Sequence, residues 1–291
     1  MTALDLVKLK ELMELTSGRS EIAVALIDGP VATNHSDLAG GNVREVSAAG
    51  RSSCAVAASV ACLHGTFVAG VLSGKRGSAA PAICPGCTLL VRPIFAEAAV
   101  PNLESPTAEP RELASAILEC AAAGARIINL SLAVMRSSSQ AQLALSQAID
   151  LAVSRGVIIV AAAGNQSMVG GTAITAHPWV IPVAACDSRG QPINESNLGR
   201  SIGQRGLMAP GERITSLGSE GRQLTLSGTS AAAPFVTGAI ALVWSLFPSA
   251  SAGELRLAIA EARAGARASV TPPLLNAWAA YQRVLAAHGR R

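Results

Sequence analysis

The sequence predicts an open, doubly wound α/β fold, with a mostly parallel sheet that carries helices on both of its faces. Continuous apolar runs of strand length recur along the chain, and stretches with helical periodicity lie between them. Strands that are buried on both faces of a parallel sheet have such uninterrupted apolar runs. Half of the residues are hydrophobic, so the chain has enough apolar surface to form a large core.

The predicted elements alternate along the middle of the chain. Apolar runs predict strands at 22–27, 88–93, 125–132, 157–163 and 179–185. Helical periodicity predicts helices near 64–74, 111–123 and 140–155. Residues 95–111 are rich in Glu, Pro and Ala, which is typical of an irregular surface loop.

The two ends of the chain are interpreted as additions to this α/β unit. Residues 1–20 carry Lys and Glu among leucines, which predicts an N-terminal amphipathic helix. The α/β domain is expected to cover residues 21–265. Residues 266–291 are expected to form a tail of the same domain, helical from Leu274 to Ala287. A length of 291 residues permits one large domain or two small ones, and no repeat or low-complexity linker divides the chain.

Charge and composition argue against two classes of partner. The net charge is +4, no Lys/Arg run approaches the roughly five to eight residues of a basic patch, and aromatic residues make up 3% of the chain. Nucleic-acid binders need a basic footprint or aromatic platforms for bases, so nucleic acid is not an expected partner. No uninterrupted apolar run reaches the length of about 18 residues that indicates a membrane span. The N-terminus also lacks the pattern of a secretion signal, and we expect a cytoplasmic protein.

The cysteines allow more than one interpretation. In a reducing cytosol they would mostly be thiols that pack as small apolar groups. The segment Cys84–Cys87 has the spacing of a turn with two thiols, a local disulfide or half of a metal site. A zinc site would need a second pair of ligands, which the sequence lacks. The six cysteines are Cys54, Cys62, Cys84, Cys87, Cys120 and Cys186.

Three polar residues interrupt apolar structure where predicted elements begin or end. Asp28 follows the first strand, His64 opens a helix, and Ser230 precedes a long apolar helix. Taken singly, each has an ordinary structural explanation as a turn residue, a satisfied histidine or a helix cap. Taken together, they are the set needed for nucleophilic catalysis by serine. The hydroxyl needs a base to take its proton, and the imidazole needs a carboxylate to orient it.

A fourth segment predicts a group that would stabilise negative charge. The buried run 157–163 ends at Gly164-Asn165. A Gly-Asn pair is also a common turn. In the functional interpretation, the Asn165 side-chain amide donates a hydrogen bond to the oxyanion of a tetrahedral intermediate.

These segments resemble the subtilases, the subtilisin-like serine proteases, from about residue 22 to about residue 262. The segments that carry the resemblance are Ala25–Asp28, His35–Leu38, His64–Gly70, Ala163–Asn165, Met208–Gly211 and Gly228–Pro234. The resemblance implies a catalytic triad of Asp28, His64 and Ser230, with Asn165 in the oxyanion hole. Calcium is common in the family, but no Asp-rich loop here argues for it, and we expect no metal or cofactor.

The same resemblance implies the residues that bind substrate. Ser131, Leu132 and Ala133 would pair with the peptide backbone by β-augmentation, and Ala163 and Gly164 would border the same groove. A plain core strand explains the leucines of this segment equally well. Ala133 stands where the family usually has glycine, which would narrow the first specificity pocket.

Two further segments resemble one subgroup of the family. Asp28–Val31 and Ala80–Ile94 are similar to the proteases that mature cyanobactin-like, ribosomally made peptides. Members cleave a leader or follower from a precursor peptide, and some relatives cyclise the peptide under a helical cap. Residues 29–63 between the aspartate and the histidine leave little space for such a cap, which favours hydrolysis.

The sequence therefore predicts a serine endopeptidase with a peptide or precursor-peptide substrate. A subtilase fold that only binds peptides and a transpeptidating macrocyclase are the alternatives. An esterase of the α/β-hydrolase type would need its serine in Gly-x-Ser-x-Gly and the chain order Ser, Asp, His. Ser230 lies instead in Gly-Thr-Ser-Ala-Ala and follows His64. The sequence does not define the oligomeric state.

Overall fold

The computed structural model describes residues 1–46, 54–95, 97, 107–134, 138–261 and 269–289. The strands in these residues are β1 (Ala23–Asp28), β2 (Val43–Glu45), β3 (Thr88–Pro93), β4 (Thr107–Ala108), β5 (Ile127–Leu130), β6 (Ala133–Val134), β7 (Ile158–Ala162), β8 (Val180–Cys186), β9 (Leu207–Pro210), β10 (Ile214–Leu217) and β11 (Gln223–Leu226). The helices are α1 (Ala3–Leu6), α2 (Lys10–Leu15), α3 (Val60–Ser73), α4 (Pro110–Ala122), α5 (Ser139–Ser154), α6 (Arg200–Arg205), α7 (Thr229–Leu246), α8 (Ala252–Glu261) and α9 (Ala277–His288).

A seven-stranded sheet forms the centre of the molecule. Its strand order is β2-β3-β1-β5-β7-β8-β9, and every neighbouring pair is parallel. The chain runs from β1 to β3 on one side and later returns to β5 on the other side. The predicted α/β fold with a mostly parallel sheet is therefore confirmed.

Both faces of the sheet are buried, as the apolar runs predicted. In β1, Val24 and Leu26 join the core that includes α3 and α7. Ala25 and Ile27 point to the opposite face and join the core of α4 and α5. Because side chains alternate along a strand, a strand covered on both faces needs apolar residues at every position.

Helix α7 is the main core helix on one face. It packs against β5, β7, β8 and β9, and Phe235 and Trp244 are fully buried in it. The helix is long and apolar enough to cross a membrane, but 89% of it is buried inside the fold. Its apolar character is therefore explained by its place in the core.

Most predicted elements are present, with shifted ends. The three predicted central helices form as α3, α4 and α5. Helix α3 begins earlier because Ser59 is its N-cap, and the Ser59 hydroxyl accepts a hydrogen bond of 3.1 Å from the Cys62 amide. The prediction of a single helix over residues 1–20 was wrong. Helices α1 and α2 are separate, and Lys8 between them has a φ of 55°. The tail helix forms as α9. The predicted loop 95–111 contains β4 and the start of α4, and residues 96 and 98–106 lie outside the described residues.

Two of the six cysteines form a disulfide, whereas the sequence predicted that the cysteines would mostly be thiols. Cys54 and Cys62 form a disulfide, and the Glu97 carboxylate close to them accepts hydrogen bonds from the Ala55 and Val56 amides at 2.8 and 3.0 Å. Such a bond persists in oxidising compartments, so the cytoplasmic location stays a prediction. The remaining four are buried free thiols, which agrees with a turn at the Cys-Pro-Gly-Cys segment. Burial raises the pKa of two of them, Cys120 and Cys186, to about 12.

Two glycines let helix α3 approach the end of β1. A Cβ on Gly29 would lie 2.0 Å from the Ala61 carbonyl oxygen, and one on Gly65 would lie 2.5 Å from the carbonyl oxygens of Gly29 and Pro30. Backbone atoms on both sides make these contacts, so no side-chain rotation could relieve them. The missing side chains therefore allow the close contact between the end of β1 and α3.

Replacing Gly29→Ala is predicted to push α3 away from β1. We expect a loss of about 1–3 kcal/mol in the free energy of unfolding, because overpacking at backbone cannot relax. Urea denaturation measures this loss. Gly253→Ala in α8 is the control, since its nearest neighbour is a Ser251 hydroxyl 3.9 Å away. Equal stability of Gly29→Ala and the parent would contradict the packing argument.

Candidate active site

The candidate site lies at the carboxyl ends of the central strands. Asp28 is the last residue of β1, and Ser131 follows the end of β5. These neighbouring strands flank the point where the chain changes direction across the sheet. In open α/β sheets such a switch point forms a crevice outside the strand ends. The topology therefore creates the cleft at which the predicted site residues meet.

Asp28 and His64 are joined by a buried hydrogen bond. The Asp28 Oδ1 atom lies 2.7 Å from His64 Nδ1, and it also accepts a hydrogen bond of 2.6 Å from the Gly29 amide. Asp28 is fully buried, whereas the His64 side chain is 16% exposed. A carboxylate can only accept here, so Nδ1 carries the proton in the neutral ring. Nε2 is then the atom that can act as a base.

The surroundings of His64 raise its pKa. Burial of the imidazole lowers the pKa, but the charge of Asp28 and the hydrogen bond to it have the larger combined effect in the opposite direction. The imidazolium is therefore stabilised beside the carboxylate. This is the state that a base reaches after it has taken a proton.

Ser230 lies on the same cleft as His64. The cleft has a volume of about 200 Å³ and is also bordered by Asn165, Leu132 and Gly164. Among the hydrogen bonds of the described residues, none joins the Ser230 hydroxyl to the imidazole. In ligand-free active sites this contact is often long and tightens only when substrate binds.

The Asn165 amide is oriented by the residue before Ser230. Asn165 Oδ1 accepts hydrogen bonds from the Thr229 amide at 2.8 Å and the Thr229 hydroxyl at 3.0 Å. With its oxygen bound in this way, Asn165 has its Nδ2 group left as a donor. Gly228 lies against this amide: it has a φ of 127°, and a Cβ there would meet Nδ2 at 2.8 Å.

Thr229 is a positioning residue that the sequence reasoning did not single out. Its hydroxyl accepts a hydrogen bond of 3.1 Å from the Gly164 amide while it donates to Asn165. The side chain thus ties the start of α7 to the end of the β7 segment. Its position beside Ser230 in the Gly-Thr-Ser motif was the available signal.

Asn197 fixes the backbone of residues 163–168, the segment that carries Asn165. It is buried, and its Oδ1 accepts from the Gln166 and Met168 amides at 3.0 Å each. Its Nδ2 donates to the Ala163 carbonyl at 3.2 Å. Ala163 is fully buried, whereas Gly164 borders the cleft. No local sequence pattern marks Asn197 for this role.

Ser131 is tied into a buried polar network. Its hydroxyl donates to the Ser230 carbonyl at 3.1 Å and accepts from Asn129 Nδ2 at 2.8 Å. Asn129 Oδ1 in turn accepts from the Thr237 hydroxyl at 2.8 Å. Ser131 and Leu132 border the cleft, and their role in binding substrate stays a prediction. The Ser131 hydroxyl, however, already binds the protein's own backbone.

The predicted substrate strand has a partner inside the chain. Ala133 and Val134 form β6, which pairs in parallel with Thr107 and Ala108 of β4. One edge of this segment is therefore occupied. The role of Ala133 in binding a peptide stays a prediction.

A buried Asp–His pair beside a cleft that is bordered by a serine is the arrangement expected of a serine protease. The profile of the subtilase family matches residues 19–273, and the chain belongs to this family. Subtilisin DY from Bacillus licheniformis is 31% identical over 242 residues, which cover 81% of each protein. Mycosin-3 from Mycobacterium tuberculosis is 31% identical over 71% of this chain and 56% of its own length. The chain thus spans little more than half of that relative.

Solved structures show the same fold over nearly the whole chain. The prenylagaramide maturation protease PagA superposes with a TM-score of 0.81 at 28% identity and covers 94% of this chain and 98% of its own. The self-cleaved protease domain of PatA has a TM-score of 0.77 at 31% identity, with coverage of 93% and 98%. The PatG macrocyclase domain has a TM-score of 0.82 at 22% identity and coverage of 97% of both chains. At this identity it supports the fold alone.

Replacing Thr229→Val is predicted to lower kcat by about tenfold or more, with little change in KM, because Asn165 loses part of its orientation. Steady-state kinetics on a peptide substrate measure the two parameters separately. Thr229→Ser retains the hydroxyl and should restore most of the rate. A positioning role also leaves the pH dependence of the rate unchanged. A loss of kcat that comes with a change in KM, and that Thr229→Ser does not rescue, would contradict the assignment of Thr229 as a positioning residue.

Proposed function

We propose that the chain is a serine endopeptidase that cleaves a leader or follower segment from a ribosomally made precursor peptide. The observation that carries the catalytic part is the buried Asp28–His64 hydrogen bond at the cleft that also holds Ser230. The carboxylate fixes the tautomer of His64 in which Nε2 carries no proton and can act as a base.

The proposed reaction proceeds through an acyl-enzyme. Ser230 Oγ attacks the scissile carbonyl carbon while His64 Nε2 takes the hydroxyl proton. The oxyanion accepts hydrogen bonds from Asn165 Nδ2 and the Ser230 backbone amide. His64 then gives its proton to the leaving amine, and the peptide bond breaks. A water molecule, deprotonated by His64, hydrolyses the ester and regenerates the serine.

The helix that follows Ser230 supports the same chemistry. Ser230 stands in the first turn of α7, where backbone amides have no partner within the helix. The positive end of the helix dipole favours negative charge at this place. Gly228 has a φ of 127° directly before this turn, a conformation that glycine adopts without strain.

The class of substrate is supported by the similar structures. PagA and PatA are described as maturation proteases of prenylagaramide and patellamide, at 28% identity each. A cleft bordered by a short strand segment suits an extended peptide that binds through its backbone. We therefore favour a precursor peptide over a folded protein as substrate.

Hydrolysis is favoured over peptide cyclisation. Cyclisation needs the acyl-enzyme to be shielded from water until the peptide's own amine attacks. Between β1 and α3, the described residues 29–46 and 54–59 contain the short strand β2 and no helix. His64 is partly exposed at the cleft, so water can reach the acyl group. A macrocyclase would release cyclic product, which mass spectrometry distinguishes by the loss of one water.

Ser230→Ala is predicted to abolish peptide cleavage and labelling by a fluorophosphonate probe, while the melting temperature stays near that of the parent. Only an activated hydroxyl reacts with the probe. Ser115→Ala, on the exposed face of α4, is the control and should be labelled like the parent. A parent protein that binds peptides but is neither labelled nor active would support the alternative of a peptide-binding fold.

The pH dependence of kcat/KM should follow the deprotonation of His64. Because the folded-state pKa is raised, the rate of the parent should rise with a midpoint above about pH 6.5. Replacing Asp28→Asn leaves burial as the remaining influence, which lowers the pKa. The midpoint of the residual activity should then fall below about pH 6.5, and kcat should drop by about four orders of magnitude.

The Asp28–His64 pair makes the stability of the fold decrease with rising pH, whereas it makes the rate increase. Protonated His64 stabilises the fold fully below the unfolded-state pKa of about 6.5. This contribution is lost as the pH rises through the raised folded-state pKa. Denaturation at several pH values measures the loss. A parent and an Asp28→Asn variant with parallel stability profiles across this range would contradict the assigned coupling.

A further inference from the structure

A second concave site lies at the sheet edge opposite the active site. A pocket of about 350 Å³ is bordered by Trp179, Ile181, Leu207 and Leu257, with Arg205 and Arg256 beside them. Trp179 precedes β8, and Leu207 begins β9, so the pocket lies at the amino ends of these strands. The catalytic groups lie at the carboxyl ends. Strand β8 has 7 residues, which separates the two sites by on the order of 20 Å.

The apolar part of the pocket is open to solvent. The Trp179 side chain is 46% exposed and Leu257 is 57% exposed, although both are large apolar residues. Single exposed apolar residues are common, but a group of them lining a concavity marks a binding site. The core of the domain does not need either side chain at this position.

Two guanidinium groups make the same pocket electropositive. The Arg256 guanidinium lies 4.6 Å from the centre of the Trp179 ring. Arg205 donates to the Thr175 and Ala176 carbonyls at 3.1 and 3.0 Å, but its Nε is buried without a hydrogen-bond partner in the described residues. Arg256 donates a hydrogen bond to the Pro178 carbonyl, and none of the ion pairs found between described residues includes either arginine. Among the described residues, the hydrogen-bond partners of the two guanidinium groups are thus neutral backbone carbonyls, and an anion would complement their charge.

The two arginines also affect the pKa of neighbouring basic groups. Burial lowers the pKa of Arg256, and the charge of Arg205 lowers it further. Burial also lowers the pKa of His177, with both arginines contributing, although Asp150, 3.3 Å from its Nε2, opposes them.

We propose that this pocket binds an acidic, amphipathic segment of the precursor peptide, with an apolar side chain against Trp179 and a carboxylate on Arg205 and Arg256. The inference rests on the proposed function, because it assigns the segment to the same peptide that is cut. Two cations are fewer than the four to eight that mark recognition of anionic lipid surfaces. A concave apolar pocket beside two guanidinium groups instead matches individual side chains of a peptide.

Occupation of both sites by one peptide would raise the local concentration of the scissile bond. A span on the order of 20 Å requires at least about 6 extended residues, and more for a path around the surface. A substrate with a flexible linker of about 20 residues can therefore reach both sites. Its KM should be about tenfold lower than that of a short substrate, with kcat unchanged.

Direct binding can be measured without cleavage in the Ser230→Ala background. The probe is a fluorescein-labelled peptide of alternating leucine and glutamate, and fluorescence anisotropy measures its Kd. Arg256→Glu should weaken binding by at least about tenfold, as expected for the loss of a charge-assisted contact. Arg283→Glu, an equal charge change at an exposed site on α9, should not. The same peptide with glutamine in place of glutamate should bind weakly to all three proteins.

Kinetics then separate the pocket from the catalytic proposal. The two substrates share one cleaved sequence, and only the longer one carries the acidic segment behind the linker. Arg256→Glu should abolish the KM advantage of the longer substrate and leave cleavage of the shorter one unchanged. Equal KM values in the parent, or an advantage that survives Arg256→Glu, would overturn the pocket inference while the protease stands. Absence of cleavage together with Arg256-dependent binding would overturn the proposed function and leave the pocket.

Discussion

The hydrogen bond between Asp28 and His64 is the interaction on which the rest of the site depends. It brings a fully buried carboxylate to 2.7 Å from an imidazole that is 36 positions further along the chain. The contact is made where β1 and α3 approach each other across Gly29 and Gly65. A buried carboxylate is costly unless it has partners. The imidazole and the Gly29 amide both bind Oδ1, whereas Oδ2 is buried without a hydrogen-bond partner among the described residues. The carboxylate in turn selects the proton position on the ring.

Around this pair, the site is held by polar side chains inside an apolar core. Asn129, Ser131 and Thr237 connect β5 to the backbone at Ser230 through buried hydrogen bonds. Thr229 and Asn197 hold the segment that carries Asn165. A donor that is already oriented needs little reorganisation when charge develops on the substrate. These residues explain how loops at the ends of strands can keep a fixed geometry.

The sequence predicts the parts of this structure that depend on neighbours along the chain. The buried strands are visible as apolar runs because both sheet faces are covered. Asp28 and Ser230 are visible because they lie at the end of β1 and in the first turn of α7. The predicted start of a helix at His64 was wrong, because α3 begins at Val60 and His64 lies in its second turn. The features that depend on distant segments are not visible. Asn197 meets Gln166 only in the folded protein, and the pairing of Cys54 with Cys62 cannot be deduced from spacing. The pocket of Trp179 and Arg256 likewise forms only through tertiary structure.

The most direct test is the tautomer of neutral His64, read from the ¹⁵N resonances of labelled histidine at a pH above its pKa. The chain contains 4 histidines, and a His64→Gln variant identifies the relevant signal. The account predicts that the proton lies on Nδ1 in the parent and that this preference is lost in Asp28→Asn. A proton on Nε2 in the parent would contradict it, because the atom needed as a base would then be blocked.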